Sequence, residues 1–355
     1  MGVDALSWRA IDIAPRVLAW FDHHGRKTLP WQHDISPYRV WVSEIMLQQT
    51  QVQTVIPYYQ RFMAALPSVR DLAAANSDQV MHLWTGLGYY SRARNLQRTA
   101  QIICERYGGE FPDDVERLSE LPGIGRSTAG AIVAIAFRKR AAILDGNVKR
   151  VLARFHAIDG YPGATTVNKA LWDCTEFHTP QNRVEAYTQA MMDLGATLCT
   201  RTKPTCAICP LHADCNAHLM GQTARFPGKK PQKTLPIKNT QMLIISAAQG
   251  EVLLEKRPPT GIWSGLWVFP QIAIDADPIA YCADQLQLET EMIERWNGYR
   301  HTFSHYHLDI EPVRLRLRNQ QHAVMEAERH LWYNLRAPAE IGLAAPVVKL
   351  LQKLA

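Results

Sequence analysis

The sequence predicts a mainly α N-terminal domain over residues 1–222, a linker over 223–236 and an α+β C-terminal domain over 237–355. Three observations carry that division. Through the first part of the chain, apolar residues recur at helical spacing between capping residues. At Thr223 the composition shifts to TARFPGKKPQKTLP, with three prolines and three lysines and little apolar content. After it, QMLIISA and EVLLEKR are β-rich runs separated by a short turn. A chain of 355 residues, 47% hydrophobic, is long enough for two cores.

The N-terminus carries Asp4, Arg9 and Asp12 among its hydrophobics, so it matches neither a secretory nor a transit segment, and no apolar run reaches membrane-spanning length. A cytosolic protein is expected. The formal charge of +6 suits a polyanionic partner without establishing one.

In chain order, PRVLAWFDHH reads as a core helix ending at Gly25. RKTLPW is a basic loop. Ser36 and Pro37 cap and open a helix through YRVWVSEIMLQQTQV. Glu44 lies there among Val40, Trp41, Ile45 and Leu47. It is either a solvated helix-face residue or a carboxyl whose charged form is destabilised by apolar surroundings, which a general acid requires. The uncharged MLQQTQ that follows offers amides able to probe bases. Helical patterns continue over Val52–Ala65 and Leu87–Tyr107; the latter opens with GLGYY and carries Arg92, Arg94 and Arg98, a solvated basic face or a base-stack wedge flanked by phosphate contacts.

The stretch LPGIGRSTAGAIVAIAFRKRAAILDGNVKR pairs two helices across a glycine-punctuated hairpin. Pro122 stops the first helix, and Gly123 and Gly125 are expected to supply positive φ. Ser127–Phe137 forms the second, its small residues Ala129, Gly130, Ala131 and Ala134 permitting close approach, its N-terminal N–H groups suiting a phosphate. Asp145, directly before GNVK, is placed to cap the next helix.

Helices over Val148–His156, Asn168–Glu176 and Val184–Leu198 lead to Cys199, Cys206, Cys209 and Cys215, spaced by six, two and five residues. Four thiols this close in a cytosolic chain are metal ligands rather than disulfides. Spacing alone leaves zinc and iron–sulfur both open, with His212 able to replace a ligand. Arg201 and Lys203 in this loop are either solvated or presented to phosphate; Cys104, Cys174 and Cys282 read as structural. In the last third follow GIWSGLWVFPQ, a helix over Pro278–Leu286, the strands of YRHTFSHYHLDIEPVRLRLR, and LWYNL.

The hairpin followed by LDGNVKRVLARF resembles the helix-hairpin-helix DNA glycosylase superfamily. With MLQQTQ, GLGYYSRARNL, QAMMDLGA, the cysteine loop and the FSH triplet, the likeness to MutY-type adenine glycosylases extends over nearly the whole chain. The resemblance implies an endonuclease III-like core, a Nudix-like C-terminal domain and one four-iron four-sulfur cluster on the four cysteines, with zinc the alternative. GLWVFPQ resembles the Nudix fold but lacks its magnesium-binding signature, so no Nudix hydrolysis is expected.

Site roles follow from the same resemblance. Glu44 would protonate adenine at N7, Asp145 would stay ionised beside the sugar, and Asn147 would orient them. Gln189 would bond the flipped base. Gln49, Leu87 and Tyr89 would probe the opened stack, with Thr50 near the orphan base; Phe303, Ser304 and His305 would contact the oxidised guanine. Gly123, Gly125, Ser127 and Lys149 would meet the DNA. Bifunctional relatives place a lysine where Ser127 stands, so a monofunctional glycosylase is implied. The implied partner is double-stranded DNA carrying adenine opposite 8-oxoguanine or guanine, met by a monomer in the cytoplasm at the nucleoid, with no membrane. An endonuclease III-like enzyme acting on damaged pyrimidines, a Nudix hydrolase and a non-catalytic DNA-binding module are the other readings.

Overall fold

The structure, a computed structural model, describes residues 11–231, 234–318 and 329–354. Asp4 and Arg9, and residues 232–233 of the expected linker, lie outside them. The helices are α1 (Ala14–His24), α2 (Pro37–Leu47), α3 (Val52–Ala65), α4 (Val69–Ala74), α5 (Ser77–Trp84), α6 (Ser91–Tyr107), α7 (Val115–Ser119), α8 (Arg126–Phe137), α9 (Gly146–Phe155), α10 (Thr165–His178), α11 (Val184–Thr197), α12 (Asn216–Leu219), α13 (Pro278–Leu286) and α14 (Ala345–Leu354). None is long and apolar enough to cross a membrane. A mainly α region is followed by an α+β region, as the sequence predicts.

The chain divides into two compact units. One comprises the described residues up to 74 together with 95–231; the other comprises 75–94 and the described residues from 234 on.

In the first unit, Ile13, Val17, Leu144, Val151, Leu171 and Leu194 form a common core. Close packing sets where glycine is needed. A Cβ at Gly130 on α8 would stand 2.3 Å from the Ala142 carbonyl oxygen, and one at Gly195 on α11 would stand 2.5 Å from Asn147 Cβ. The hairpin differs from expectation at one residue. Gly123 has φ +79°, and its Cβ would meet Asn95, whereas Gly125 has φ −89° and open space around it. Gly125 is the N-cap of α8, with no side chain capping it. Its use is therefore the exposed helix start, not a left-handed turn.

Helix α2 also stops earlier than its composition suggests. It ends at Leu47, Gln49 adopts φ 58°, and Gln51 caps α3, so QQTQ is a loop between helices. The stretch read as a linker is anchored over its first half. Phe226 is buried, Arg154 Nε donates to the carbonyls of Thr223 and Phe226, and Gly228 N donates to Gly160 O at 2.9 Å.

The second unit is built on β1 (Ile237–Ser246), β2 (Glu251–Lys256), β3 (Trp267–Val268), β4 (Gln271–Ile272), β5 (Thr290–Arg295), β6 (Tyr299–Thr302), β7 (His307–Leu317) and β8 (His330–Asn334). The sheet runs β3-β2-β1-β7-β5, with β4 on β1, β6 on β7 and β8 on β2. β1 and β7 are parallel, with Thr240 opposite Ile310. Continuous burial from Thr240 to Ile245 matches a central strand covered on both faces. α13 closes one face over Leu243, Ile245, Leu253, Val313 and Leu315. Residues 75–94 join this unit through specific contacts. Lys256 pairs with Asp78 at 2.9 Å, Tyr90 Oη donates to Leu343 O at 3.0 Å, and Arg94 donates to Ser264 O at 2.7 Å.

Candidate active site

Asp145 is the N-cap of α9. Its Oδ1 accepts from the backbone N–H of Asn147 (3.0 Å) and Val148 (2.8 Å), and its Oδ2 accepts from the Asn147 amide at 3.2 Å. Burial pushes this carboxyl above its ordinary pKa, opposed by those donors and by the charge of Arg150. Glu44, half-buried on α2, has its pKa pushed up to about 8, chiefly by desolvation and further by the charge of Asp145. The two carboxyls thus share one electrostatic environment. Asp145 has the cap donors, so it is the partner that ionises first.

Glu44 lines a cavity of about 250 Å³ with Trp31, Ile35, Val40, Arg26 and Gln189 among its walls. The aromatic and aliphatic groups suit the faces of a planar base, and the polar side chains around them suit its edges. Gln189 Nε2 donates to Asp193 Oδ1 at 3.0 Å. Ser127 is turned inward at the start of α8, its Oγ accepting from Leu144 N at 2.9 Å. Lys149 is half-buried on α9. Thr50 N–H donates to Leu47 O at 3.2 Å, and Gln49 is exposed beside it.

The four cysteines sit between α11 and α12, half-buried, with Cys199, Cys209 and Cys215 against the core of the first unit. Burial raises the pKa of Cys206, Cys209 and Cys215, that of Cys209 to about 11, and the nearby Cys199 adds to the rise at all three. N–H donors face the sulfurs. Arg154 Nη1 lies 3.3 Å from Cys199 Sγ, the Leu211 N–H serves Cys209, and the His218 and Ala217 N–H groups serve Cys215. Among the described residues no group of three or more His, Cys, Asp or Glu is arranged to hold a metal ion. His212 Nδ1 is engaged with Cys209 O at 2.7 Å, while Arg201 and Lys203 are exposed.

In the second unit, Tyr89 shares a cavity of about 400 Å³ with Phe303, Ser304 and His305. The FSH triplet forms a tight turn between β6 and β7, closed by Phe303 N donating to Tyr306 O at 2.9 Å. Tyr89 has φ 48° and is 51% exposed; Tyr90 is buried, so one tyrosine rather than two is available as a wedge. Leu87 is 6% exposed and lies inside the fold. The basic face is also narrower than expected. Buried Arg92 donates to the Leu87 and Gly88 carbonyls and stacks over Trp84, and Arg94 is tied to Ser264, leaving Arg98 as the exposed member of the three.

Comparison with known proteins bears directly on this arrangement. Residues 42–177 match the HhH-GPD superfamily of base excision DNA repair proteins, and residues 241–353 match the NUDIX domain. The adenine DNA glycosylase of Buchnera aphidicola subsp. Acyrthosiphon pisum (strain APS) is 40% identical over 336 residues, covering 95% of this chain and 95% of that protein. This chain belongs to the adenine DNA glycosylase family. The human adenine DNA glycosylase is 35% identical over 371 residues, covering 86% of this chain and 67% of its own length. Among solved structures, a thermostable thymine-DNA glycosylase superposes with TM-score 0.55 at 27% identity, covering 61% of this chain and all of its own. An endonuclease III–DNA complex gives 0.50 at 22% identity, covering 62% of this chain and 99% of its own, a likeness of fold.

As a member of this family the chain is a DNA glycosylase of base excision repair that hydrolyses N-glycosidic bonds. Sequence reasoning missed three residues around its sites. Arg150 donates to Asn147 Oδ1 (2.8 Å), Gly195 O and Cys199 O (2.7 Å each), tying the cysteine loop to the residue that holds Asp145. Asp193 supports Gln189. Trp263, at φ 52°, lies against His301 and Phe303 with ring centroids 5.7 and 5.3 Å away. Only Asp193 left a sequence signal, a carboxylate four residues after Gln189 and therefore on the same helix face.

Proposed function

We propose that the chain removes adenine mispaired with 8-oxoguanine or guanine, as a monofunctional enzyme, leaving an intact abasic strand. The observation that carries this reading is the pair of carboxyls in contrasting settings, Glu44 desolvated on the wall of a base-sized cavity and Asp145 capped by N–H donors. Breaking C1′–N9 leaves positive charge on the sugar and negative charge on the base. Glu44, protonated at neutral pH, gives its proton to N7 as that bond lengthens. Asp145 stabilises the cationic sugar, and Asn147 holds its Oδ2. Water then adds to C1′ and returns a proton to Glu44, so both carboxyls are regenerated.

The flipped adenine would occupy the cavity against Gln189. Gln49 and Thr50, and in the second unit the exposed Tyr89 rather than the buried Leu87, would serve the opened stack, with Phe303, Ser304 and His305 contacting the oxidised guanine. The glycines of the hairpin, Gly123 and Gly125, and Lys149 would face the DNA backbone. Ser127 has no amine with which to form an imine, which supports hydrolysis without strand cleavage. Cys199, Cys206, Cys209 and Cys215 would hold a four-iron four-sulfur cluster; the donor set of four thiols served by N–H groups fits it, and its part would be to order the loop bearing Arg201 and Lys203. The working enzyme would be a cytoplasmic, nucleoid-associated monomer on double-stranded DNA.

Glu44→Gln and Asp145→Asn test the assignment, because each removes the proton or the charge at nearly constant volume. Both variants should bind a mispaired duplex at near wild-type affinity while releasing adenine at least about a thousandfold more slowly, the upper part of the range for a positioned proton donor. Near-native turnover by either variant would refute the assignment.

A further inference from the structure

We propose that Asp193 is the positioning residue that fixes which pole of Gln189 meets the base, and so makes the cavity select a purine bearing a 6-amino group over a 6-oxo purine. The inference rests on the reading of the cavity as the base pocket. Asp193, whose side chain is 0% exposed, accepts four N–H bonds: from Arg26 N (2.7 Å) at Oδ2, and from Arg26 Nε (3.0 Å), Arg26 Nη2 (2.6 Å) and Gln189 Nε2 (3.0 Å) at Oδ1. A carboxylate paired with a guanidinium offers acceptors only, so the Gln189 amide must turn its NH2 toward it. The flipped amide would set two oxygens against each other with no proton between them.

Gln189 Oε1, which accepts no hydrogen bond from the described residues, is then the acceptor left for a ligand in the cavity it lines. Gln32, the other amide on that wall, has both polar atoms engaged and its orientation set, its Oε1 accepting from Leu29 N at 3.0 Å and its Nε2 donating to Arg26 O at 2.8 Å. Of the two amides on that wall, Gln189 is therefore the one whose oxygen is left to a ligand, beside the acidic proton of Glu44; the Glu185 carboxylate also lines the cavity. An adenine edge offers the matching donor and acceptor in N6 and N7, whereas a 6-oxo purine offers two acceptors, O6 and N7. Repulsion between O6 and Gln189 Oε1 excludes the latter as long as Asp193 prevents the amide from turning.

The test is single-turnover base release from duplexes carrying either adenine or hypoxanthine opposite 8-oxoguanine. Wild type should release adenine much the faster. In Asp193→Ala the amide is free to turn, and the adenine-to-hypoxanthine rate ratio should fall by about tenfold or more. Should that variant fold poorly, Arg26→Met/Asp193→Leu removes the pair without leaving a buried charge, and should lower the ratio likewise. Asp193→Ala/Gln189→Glu, acceptor at both oxygens, should restore the preference. Variants that lose both rates by one factor, keeping the wild-type ratio, would overturn the role of Asp193 while leaving the pocket intact. A wild type that releases neither base would overturn the pocket reading itself.

Discussion

Glu44 and Asp145 are chemically the same group and differ in what surrounds them. Asp145 has two backbone N–H groups, an amide and a nearby guanidinium; Glu44 has apolar neighbours and the charge of Asp145. The consequence is a pH dependence with a definite sign. Because the folded-state pKa of Glu44 is raised to about 8, its stabilising contribution is complete below its ordinary value of 4.5 and is lost as pH rises through about 8. Base release should fall over the same upper range, as the general acid loses its proton. Glu44→Gln does not titrate. It should therefore unfold at higher denaturant than wild type at pH 9, by on the order of a few kcal/mol at about 1.4 kcal/mol per pKa unit, and show no such gain near pH 4. A stability difference independent of pH would contradict the desolvated-acid assignment. Ser127 gives a second residue-scale prediction. Ser127→Lys forfeits the bond from Leu144 N, about 1 kcal/mol, and should acquire strand cleavage coupled to base loss, detected by borohydride trapping that wild type does not show.

Among the elements, the cysteine loop is the one that the proposed cluster would order. Cys206→Ser or Cys209→Ser should lower soluble yield and bleach the broad visible absorption expected of the purified wild type; a colourless, active protein containing zinc would contradict the cluster. The most legible helices are those that carry their own start signal. Ser36–Pro37 opens α2, Asp277–Pro278 opens α13, and Asp145 before GNVK caps α9. What failed was any inference that needed to know the next turn of chain. Gly125 looked like a left-handed residue by analogy with Gly123, yet its φ is −89° because α8 begins there. Arg92 read as either a solvated cation or a phosphate contact, but the GLGYY loop folds its carbonyls onto the guanidinium.

At the scale of the whole molecule, sequence periodicity separated a helical region from an α+β region, but it did not reveal that residues 75–94 pack with the second. The contacts responsible join Asp78 to Lys256 and Tyr90 to Leu343, more than a hundred residues apart, and no local pattern encodes them. Asp193 could be counted onto the Gln189 face of α11, but its pairing with Arg26, in a loop read only as basic, could not be foreseen for a related reason. The comparison that probes the complete account is base release by the full chain from duplexes carrying adenine opposite 8-oxoguanine, guanine or cytosine, with a thymine glycol duplex alongside. Release of adenine opposite 8-oxoguanine and guanine, with the abasic strand left intact and thymine glycol untouched, is the predicted result. Excision of thymine glycol with strand nicking, or no release of adenine from any duplex, would contradict it.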